Sequence, residues 1–450
     1  MMIVRGRRMA AVVVCLVACL AARSAAAADQ WIEVKSPHFT VTSDAGKGPT
    51  STLAWQLEQM RSEIAVLWPW AKLDLNRPLV VFALKDEQAL KALAPAYWEK
   101  KNGGTGIATV WVSGYDRTFL ALRTDIEQGA KRHVNPYASS YFAYFSLILE
   151  QSVPRRLPPW LLRGLAGVMS NTVIDDKSVM FGPPAPWYLQ ELHEGRRIPL
   201  ADLVAAPNGS PLLKGDNLML FDAEAWAVVH YLMFADGGAH AGGLEKYLTG
   251  VLKGMSPDAA AFAETIGRPS DLQTPLRAYV DRNLFSYKAL QADATVRRES
   301  FGVTPIPAAE CAARRAVFHV AMGRPVEARA LVDEARKAGG ASDAEVADAL
   351  LLEREDKIDA ARDAYARAVG AGTTDAYAHY RLATLTWRGT PIATRSPRSA
   401  IWSPKRRRSI PATPPPMTSW LRSTGSLAMA IRRRWRCAPS RSSRVTRIIA

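Results

Sequence analysis

Between Val134 and Leu192 this 450-residue chain has no histidine, and Glu150 is the only acidic residue from Asn135 to Thr172. A protein zinc site takes three ligands from His, Cys, Asp and Glu plus an open position, with two of them commonly at i and i+4 on one helix face. That stretch cannot supply such a set in any register. The seven histidines of the chain (38, 133, 193, 230, 240, 319 and 379) contain no i, i+4 pair at all. Cysteine is nearly as scarce. Cys15 and Cys19 lie near the N-terminus, Cys437 near the C-terminus, and Cys311 alone in the body, which excludes an internal disulfide framework. A lone cysteine of this kind is expected to be a small buried apolar group. Acidic residues vanish after Trp387: residues 388–450 hold 15 Lys and Arg and no Asp or Glu. The formal charge of +16 therefore belongs to the ends of the chain. Residues 29–387 carry 39 basic against 42 acidic residues, so the total charge does not argue for a nucleic-acid-binding body. No Walker, Rossmann or nucleophile-elbow motif stands out, and Gly103-Gly104 marks no more than a turn.

What is present starts with an export pattern. Arg5, Arg7 and Arg8 precede an apolar run from Met9 to Ala22, and small residues at Ala25–Ala28 offer cleavage sites before Asp29. Residues 1–28 are expected to be a signal peptide, which makes the mature protein periplasmic or secreted. Two alternatives stay open: an uncleaved anchor, and a membrane-tethered lipoprotein modified at Cys19 within Leu16-Val17-Ala18-Cys19.

Residues 29–124 read as a small α+β layer. Trp31 to Thr42 alternates like a strand on both sides of Ser36-Pro37. Leu53, Leu57, Met60, Ile64 and Leu67 share one helix face, and Pro78 to Leu84 is a buried strand. Gly106–Val112 and Thr118–Arg123 predict a hairpin about Ser113-Gly114-Tyr115-Asp116. Residues 125–300 are expected to be mainly helical. Pro136 can open a helix that is apolar around most of its circumference through Tyr137, Tyr141, Tyr144, Phe145, Ile148 and Leu149.

The stretch Glu150-Gln151-Ser152, then Leu157-Pro158-Pro159-Trp160-Leu161, then Gly164-Leu165-Ala166 and Ser170, resembles the active-site helix pair of peptidase MA-like, gluzincin-type proteins, a family often joined to tetratricopeptide (TPR) repeats. In that family one helix carries His-Glu-x-x-His, and Asn-Glu-Gly-Leu-Ala-Glu opens the next. The resemblance places the first motif on Phe142-Ala143-Tyr144-Phe145-Ser146 and the third-ligand Glu on Arg163. It thus implies a metallopeptidase-like domain over 29–300 whose metal and general base are lost, with Phe142 filling the metal's volume. An ordinary buried helix hairpin is the other reading of the same residues. The resemblance also covers the opening strand and a later helix, Asp222 to Leu232, that packs under the site. His230 on that helix has no partner ligand in the sequence and reads as a core histidine. His193-Glu194 is followed by Gly195-Arg196-Arg197, so a second histidine is absent there too.

From about Ala308 the pattern changes. Gly323, Ala328, Val332 and Ala335 recur 33 residues later at Asp356, Ala361, Tyr365 and Ala368. The spacing and the small-small-large-small order resemble the second helix of TPR units, one residue short of the usual repeat. Residues 308–387 are expected to be TPR-like, with Thr374 to Trp387 starting a third unit that breaks at Arg388-Gly389. An unspecific helical bundle is the alternative. Two and a half units should lean on the preceding domain. Pro414-Pro415-Pro416 and the lack of an apolar period leave residues 388–450 a basic disordered tail, read either as a shifted reading frame or as an arm for anionic partners.

The fold class expected is therefore α+β: a small mixed sheet, a mainly helical metallopeptidase-like part, then a helical TPR-type segment. No catalytic, metal or cofactor residue is assigned and no cofactor is expected. The function expected is that of an exported, non-catalytic interaction protein whose TPR segment binds protein or peptide. It has no specific nucleic-acid partner, and a membrane partner only if Cys19 is lipidated. A zinc metallopeptidase with ligands from elsewhere and a tail-driven binder of anionic surfaces are the competing readings.

Overall fold

The computed structural model describes residues 30–99, 107–126, 134–153, 156–389 and 448–449. The signal-peptide reading with Cys15 and Cys19, the Gly103-Gly104 turn, His133, Cys437 and residues 390–447 of the tail lie outside them.

Strand was expected on both sides of Ser36-Pro37, and β1 (Ile32–Lys35) and β2 (Thr40–Ser43) form an antiparallel pair there. Helix α1 spans Lys47–Leu67. It starts before the apolar period does, because its first turn is polar and is anchored by Thr50, whose hydroxyl bonds Ser43 Oγ at 2.7 Å. Then come β3 (Leu79–Leu84), α2 (Glu87–Leu93), and the hairpin β4 (Thr109–Ser113) and β5 (Thr118–Arg123). Asp86 caps α2 by accepting from the Ala89 N–H at 2.8 Å, which satisfies one of the free donors of the first turn.

The helical part holds α3 (Ala138–Ser152), α4 (Pro159–Ser170), α5 (Pro186–His193), α6 (Leu200–Ala205), α7 (Asn217–Phe234), α8 (Ala241–Leu252), α9 (Ala259–Thr265) and α10 (Pro269–Asp281). The sequence reading missed a three-stranded sheet among them. Strands β6 (Val173–Ile174) and β7 (Ser178–Phe181) pair with each other, and β7 pairs with β9 (Lys288–Gln291). These strands are two to four residues long, too short to show a period. The two-residue β8 (Leu284–Phe285) precedes β9.

Strand β10 (Gly302–Pro305) then returns to β1, completing a six-stranded mixed sheet in the order β10-β1-β2-β3-β5-β4. The β2–β3 and β3–β5 pairs are parallel and the rest antiparallel. Five more helices follow: α11 (Ala308–Met322), α12 (Pro325–Lys337), α13 (Ala341–Arg354), α14 (Ile358–Gly370) and α15 (Ala376–Gly389). The short strand β11 (Ile448–Ile449) pairs with β8, so the last described residues of the segment expected to lack structure do form a ladder.

The alternation of β3 and β5 divides the interior into two cores. Val81, Ala83, Leu120 and Leu122 join the larger one with α1, α3, α4 and α7. Phe82, Leu84, Phe119 and Ala121 point the other way, where α11 covers them with Ala313, Ala316, Val317 and Phe318. Phe318 meets Phe82 and Phe119 edge-on, with centroids 5.7 and 5.5 Å away. Arg314 of α11 also reaches across to Glu33 of β1 and Thr42 of β2, each at 2.6 Å. The helices after residue 308 therefore share their core with one face of the sheet. They lean on the preceding layer.

The 33-residue period survives in the backbone. Gly323 and Asp356 both sit at positive φ (73° and 58°) after the first helix of each pair, and Gly339 and Gly372 do so after the second (88° and 82°). Ala328, Val332 and Ala335 are completely buried, and so are Ala361, Tyr365 and Ala368.

Candidate functional site

Three helices meet at the position where the resemblance puts a metal. Helix α3 turns Phe142, Ala143, Ser146 and Leu147 to a half-buried stripe, while Tyr144, Phe145, Ile148 and Leu149 go inward. Pro159 starts α4, and its fixed φ suits a first helical position. Arg163 follows one turn later, on the same side as Leu162. Against α4 runs α7, buried on nearly every face from Leu220 to Phe234. It is long and apolar enough to cross a bilayer, but 89% of that window is buried inside the protein, as in a core helix.

Glycine sets the distance between α4 and α7. A Cβ on Gly164 would collide with the Ala225 carbonyl and lie 2.5 Å from Val229 Cγ2. One on Gly167 would come within 3.3 Å of Trp226. The Gly-Leu-Ala-Gly step of α4 is thus the contact surface for α7.

This close approach brings Asp222 of α7 to Arg163. The pair is bidentate: Nε donates to Oδ1, and a terminal nitrogen donates to Oδ2 at 2.6 Å. The guanidinium carbon also lies 5.2 Å from the Phe142 ring centroid. Residues 21 apart on two helices, at the two positions the resemblance singles out, are therefore in contact. Burial pushes the Asp222 carboxyl up and the Arg163 guanidinium draws it back. Two parallel charge-assisted bonds hold the carboxylate ionised in that geometry. Tyr188 stands close enough to feel both charges, and burial raises its hydroxyl further.

The donor set does not fit a dication. Phe142 offers a ring. Ser146 donates its hydroxyl to the Phe142 carbonyl of its own helix at 2.8 Å. Arg163 is a fixed cation, and the one nearby carboxylate, Asp222, is already bound to it. Among the described residues, no group of three or more His, Cys, Asp and Glu could hold a metal ion. No step through zinc can be written for these residues.

Among the described residues, no histidine belongs to a group that could hold a metal ion. His230 is wholly buried, accepts from the Tyr279 hydroxyl at Nδ1 and donates from Nε2 to the Gly182 carbonyl, both at 2.8 Å. Burial lowers its pKa to about 4, so it is a neutral core histidine. His240 stacks on Tyr231, His379 bonds the Thr373 carbonyl at 3.0 Å, and His193 ends α5 on the surface. His319 is buried in α11, and its pKa also falls to about 4. Cys311 is buried and its thiol is pushed up to about 12, which leaves it unreactive.

One cluster was not visible in the sequence. Glu58 of α1, almost fully buried, accepts from the Ser36 hydroxyl and the His38 N–H at 2.7 Å each and from His38 Nδ1 at 2.8 Å. The set has the residue types of a hydrolytic triad but not its order. The serine bonds the carboxylate instead of the imidazole, so no nucleophile–base contact exists. Its chemistry is that of a cap on the β1–β2 turn. The Asp222 partnership was equally hidden, since 59 residues separate it from Arg163 and nothing in the spacing signals it.

No protein-family model matches this chain, and no curated protein matches it.

Proposed function

We propose that this is an exported, non-catalytic peptidase-like protein, in which a gluzincin-type helical part that has lost its metal is joined to a TPR-type segment for protein or peptide interactions. The observation that carries this reading is the Phe142–Arg163–Asp222 contact. The guanidinium lies over the ring and is fixed by two bonds to the carboxylate, so the space a metal and its water need is taken by a neutralised ion pair and an aromatic side chain. The 33-residue period, with its paired left-handed turns, supports the TPR-type reading. The localisation rests on the N-terminal Arg-apolar-Ala pattern alone.

Elemental analysis and a peptide-cleavage assay of the purified protein test the proposal. Zinc well below one equivalent, with no chelator-sensitive turnover, is the expected outcome. About one equivalent of tightly held zinc with chelator-sensitive cleavage overturns it. Rebuilding a site sharpens the test. Phe142→His, Ala143→Glu, Ser146→His and Arg163→Glu restore the ligand types. Asp222→Asn must accompany them, because Glu at 163 would otherwise face a buried carboxylate.

A further inference from the structure

The connection between α6 and α7 holds a turn with a chemistry of its own. Pro207-Asn208-Gly209-Ser210 is closed by the Ser210 N–H, which donates to the Pro207 carbonyl at 2.9 Å. Asn208 and Gly209 are the two central residues, both are exposed, and neither has a positive φ. A turn closed in this way does not use the N–H of its third residue. Among the described residues, nothing accepts from the Gly209 N–H and nothing bonds the Asn208 side-chain amide. A Cβ on Gly209 would meet nothing within 4 Å, so the space around the glycine is open.

Asn171 is the opposite case. Its Oδ1 accepts from the Asn135 N–H and its Nδ2 donates to the Pro184 carbonyl, both at 2.8 Å. It is wholly buried, and the β-branched Thr172 follows it. Its amide carbon is held away from the next backbone nitrogen. Among the described asparagines, Asn208 alone precedes a glycine. With no Cβ, that glycine leaves its nitrogen unhindered and lets the chain rotate to bring it onto the asparagine side chain.

We propose that Asn208 is a site of spontaneous deamidation through Gly209. The Gly209 nitrogen gives up its proton and attacks Asn208 Cγ. The new C–N bond closes a cyclic imide, and the Cγ–Nδ2 bond breaks. The side-chain nitrogen leaves as ammonia and carries away the proton that Gly209 lost. Water then opens the imide. Addition at Cγ leaves aspartate at 208 with the ordinary peptide link. Addition at the main-chain carbonyl carbon leaves isoaspartate, with the chain routed through the side chain. Nothing is oxidised or reduced, and water is the only reactant besides the protein.

The surroundings of the turn say what the change would disturb. Ser210 Oγ accepts from the Leu212 N–H at 3.2 Å and so caps the single helical turn Pro211–Leu213. Leu212 and Leu213 pack against the larger core, and this turn touches α7. Either product adds a negative charge, and isoaspartate also adds an atom to the backbone two residues before that cap. The modification therefore acts on the lead-in to α7, the helix that bears Asp222.

The test incubates the purified full chain in heavy-oxygen water at neutral and mildly alkaline pH. Peptide mass spectrometry then maps the amides, and an isoaspartyl methyltransferase reports isoaspartate. Expected is conversion of amide to acid at Asn208 with heavy oxygen in the product, as a mixture of aspartate and isoaspartate. The rate should rise with pH, because the Gly209 nitrogen must lose its proton, and Asn171 should stay an amide. Gly209→Ala should slow the reaction several-fold without moving the melting temperature, since its methyl enters open space. Asn208 persisting as long as Asn171 overturns the proposal. So does conversion that Gly209→Ala leaves equally fast, or that gives aspartate alone, because the side chain is then hydrolysed directly. Conversion confined to the urea-unfolded chain also overturns it, because the folded turn then protects the amide.

Discussion

Helices α4 and α7 touch through glycine, whereas α11 to α14 pack through alanine. The first contact is irregular and unique. Gly164 lets the α7 backbone approach, large aromatics such as Trp160 and Trp226 fill the surroundings, and the one ion pair at the rim, Arg163–Asp222, is specific to that crossing. The second is periodic. The same small positions recur every 33 residues, and surface arginines bridge to acids on neighbouring helices. The two regions belong to the cores on opposite faces of the sheet. The difference teaches where tolerance lies. A unique contact concentrates its energy in few atoms, while a repeat spreads it over equivalent positions, no one of which is decisive.

The largest test of that contrast is Gly164→Ala. The added methyl meets a backbone carbonyl that cannot rotate away, so the cost should reach about 3 kcal/mol or more, at the upper end for overpacking. Gly209→Ala, with nothing within 4 Å, serves as the control. Urea denaturation of both variants measures the gap, and equal midpoints would break the comparison.

The two buried histidines give the next largest effect. His230→Leu leaves the Tyr279 hydroxyl and the Gly182 carbonyl unpaired and should cost roughly 2–3 kcal/mol at pH 7. His319→Leu removes a buried Nδ1 that has no partner and should be near neutral. Both native rings titrate near pH 4 when folded, below the ordinary 6.5. As pH falls through about 6.5 the unfolded chain takes up these protons first, so stability is full above that pH and drains away down to about 4. A pH series of melts should show this slope, made shallower by His319→Leu. An unchanged slope in that variant would remove His319 from the account.

The ion pair comes third. Asp222→Ala strands a guanidinium that is 25% exposed, so the loss should be about 2 kcal/mol, less than for a fully enclosed pair. Arg163→Met together with Asp222→Leu should recover most of it, because neither charge is then left unpaired. A double-mutant cycle by chemical denaturation reads the coupling. A negligible value would mean that the pair is incidental to the crossing.

The smallest effect belongs to the repeat. Asp356 holds a left-handed conformation that its counterpart Gly323 adopts freely, so Asp356→Gly should raise stability by about 0.5 kcal/mol. Asp356→Val should lower it, and thermal melts rank the three forms.

Much of this was legible in the amino-acid order. The hairpin about Gly114, the strand from Leu79, the helices on either side of Pro158-Pro159 and the 33-residue period all emerged where apolar spacing and turn residues put them. Those signals are local: they depend on which neighbours along the chain share a face. The lack of histidine from Val134 to Leu192 was likewise decided by composition, since no packing can create one.

What the tertiary structure alone decided is which distant groups meet. Asp222 finds Arg163 because two glycines let their helices close. Glu58 finds Ser36 and His38 because α1 crosses the β1–β2 turn. Strand β10 joins β1 across some 270 residues, and α11 lies on the second face of the sheet only because β3 and β5 alternate their side chains through it. A sequence states the faces each element must bury. It does not state the element against which each face is buried, because that choice is made by the packing of the whole chain.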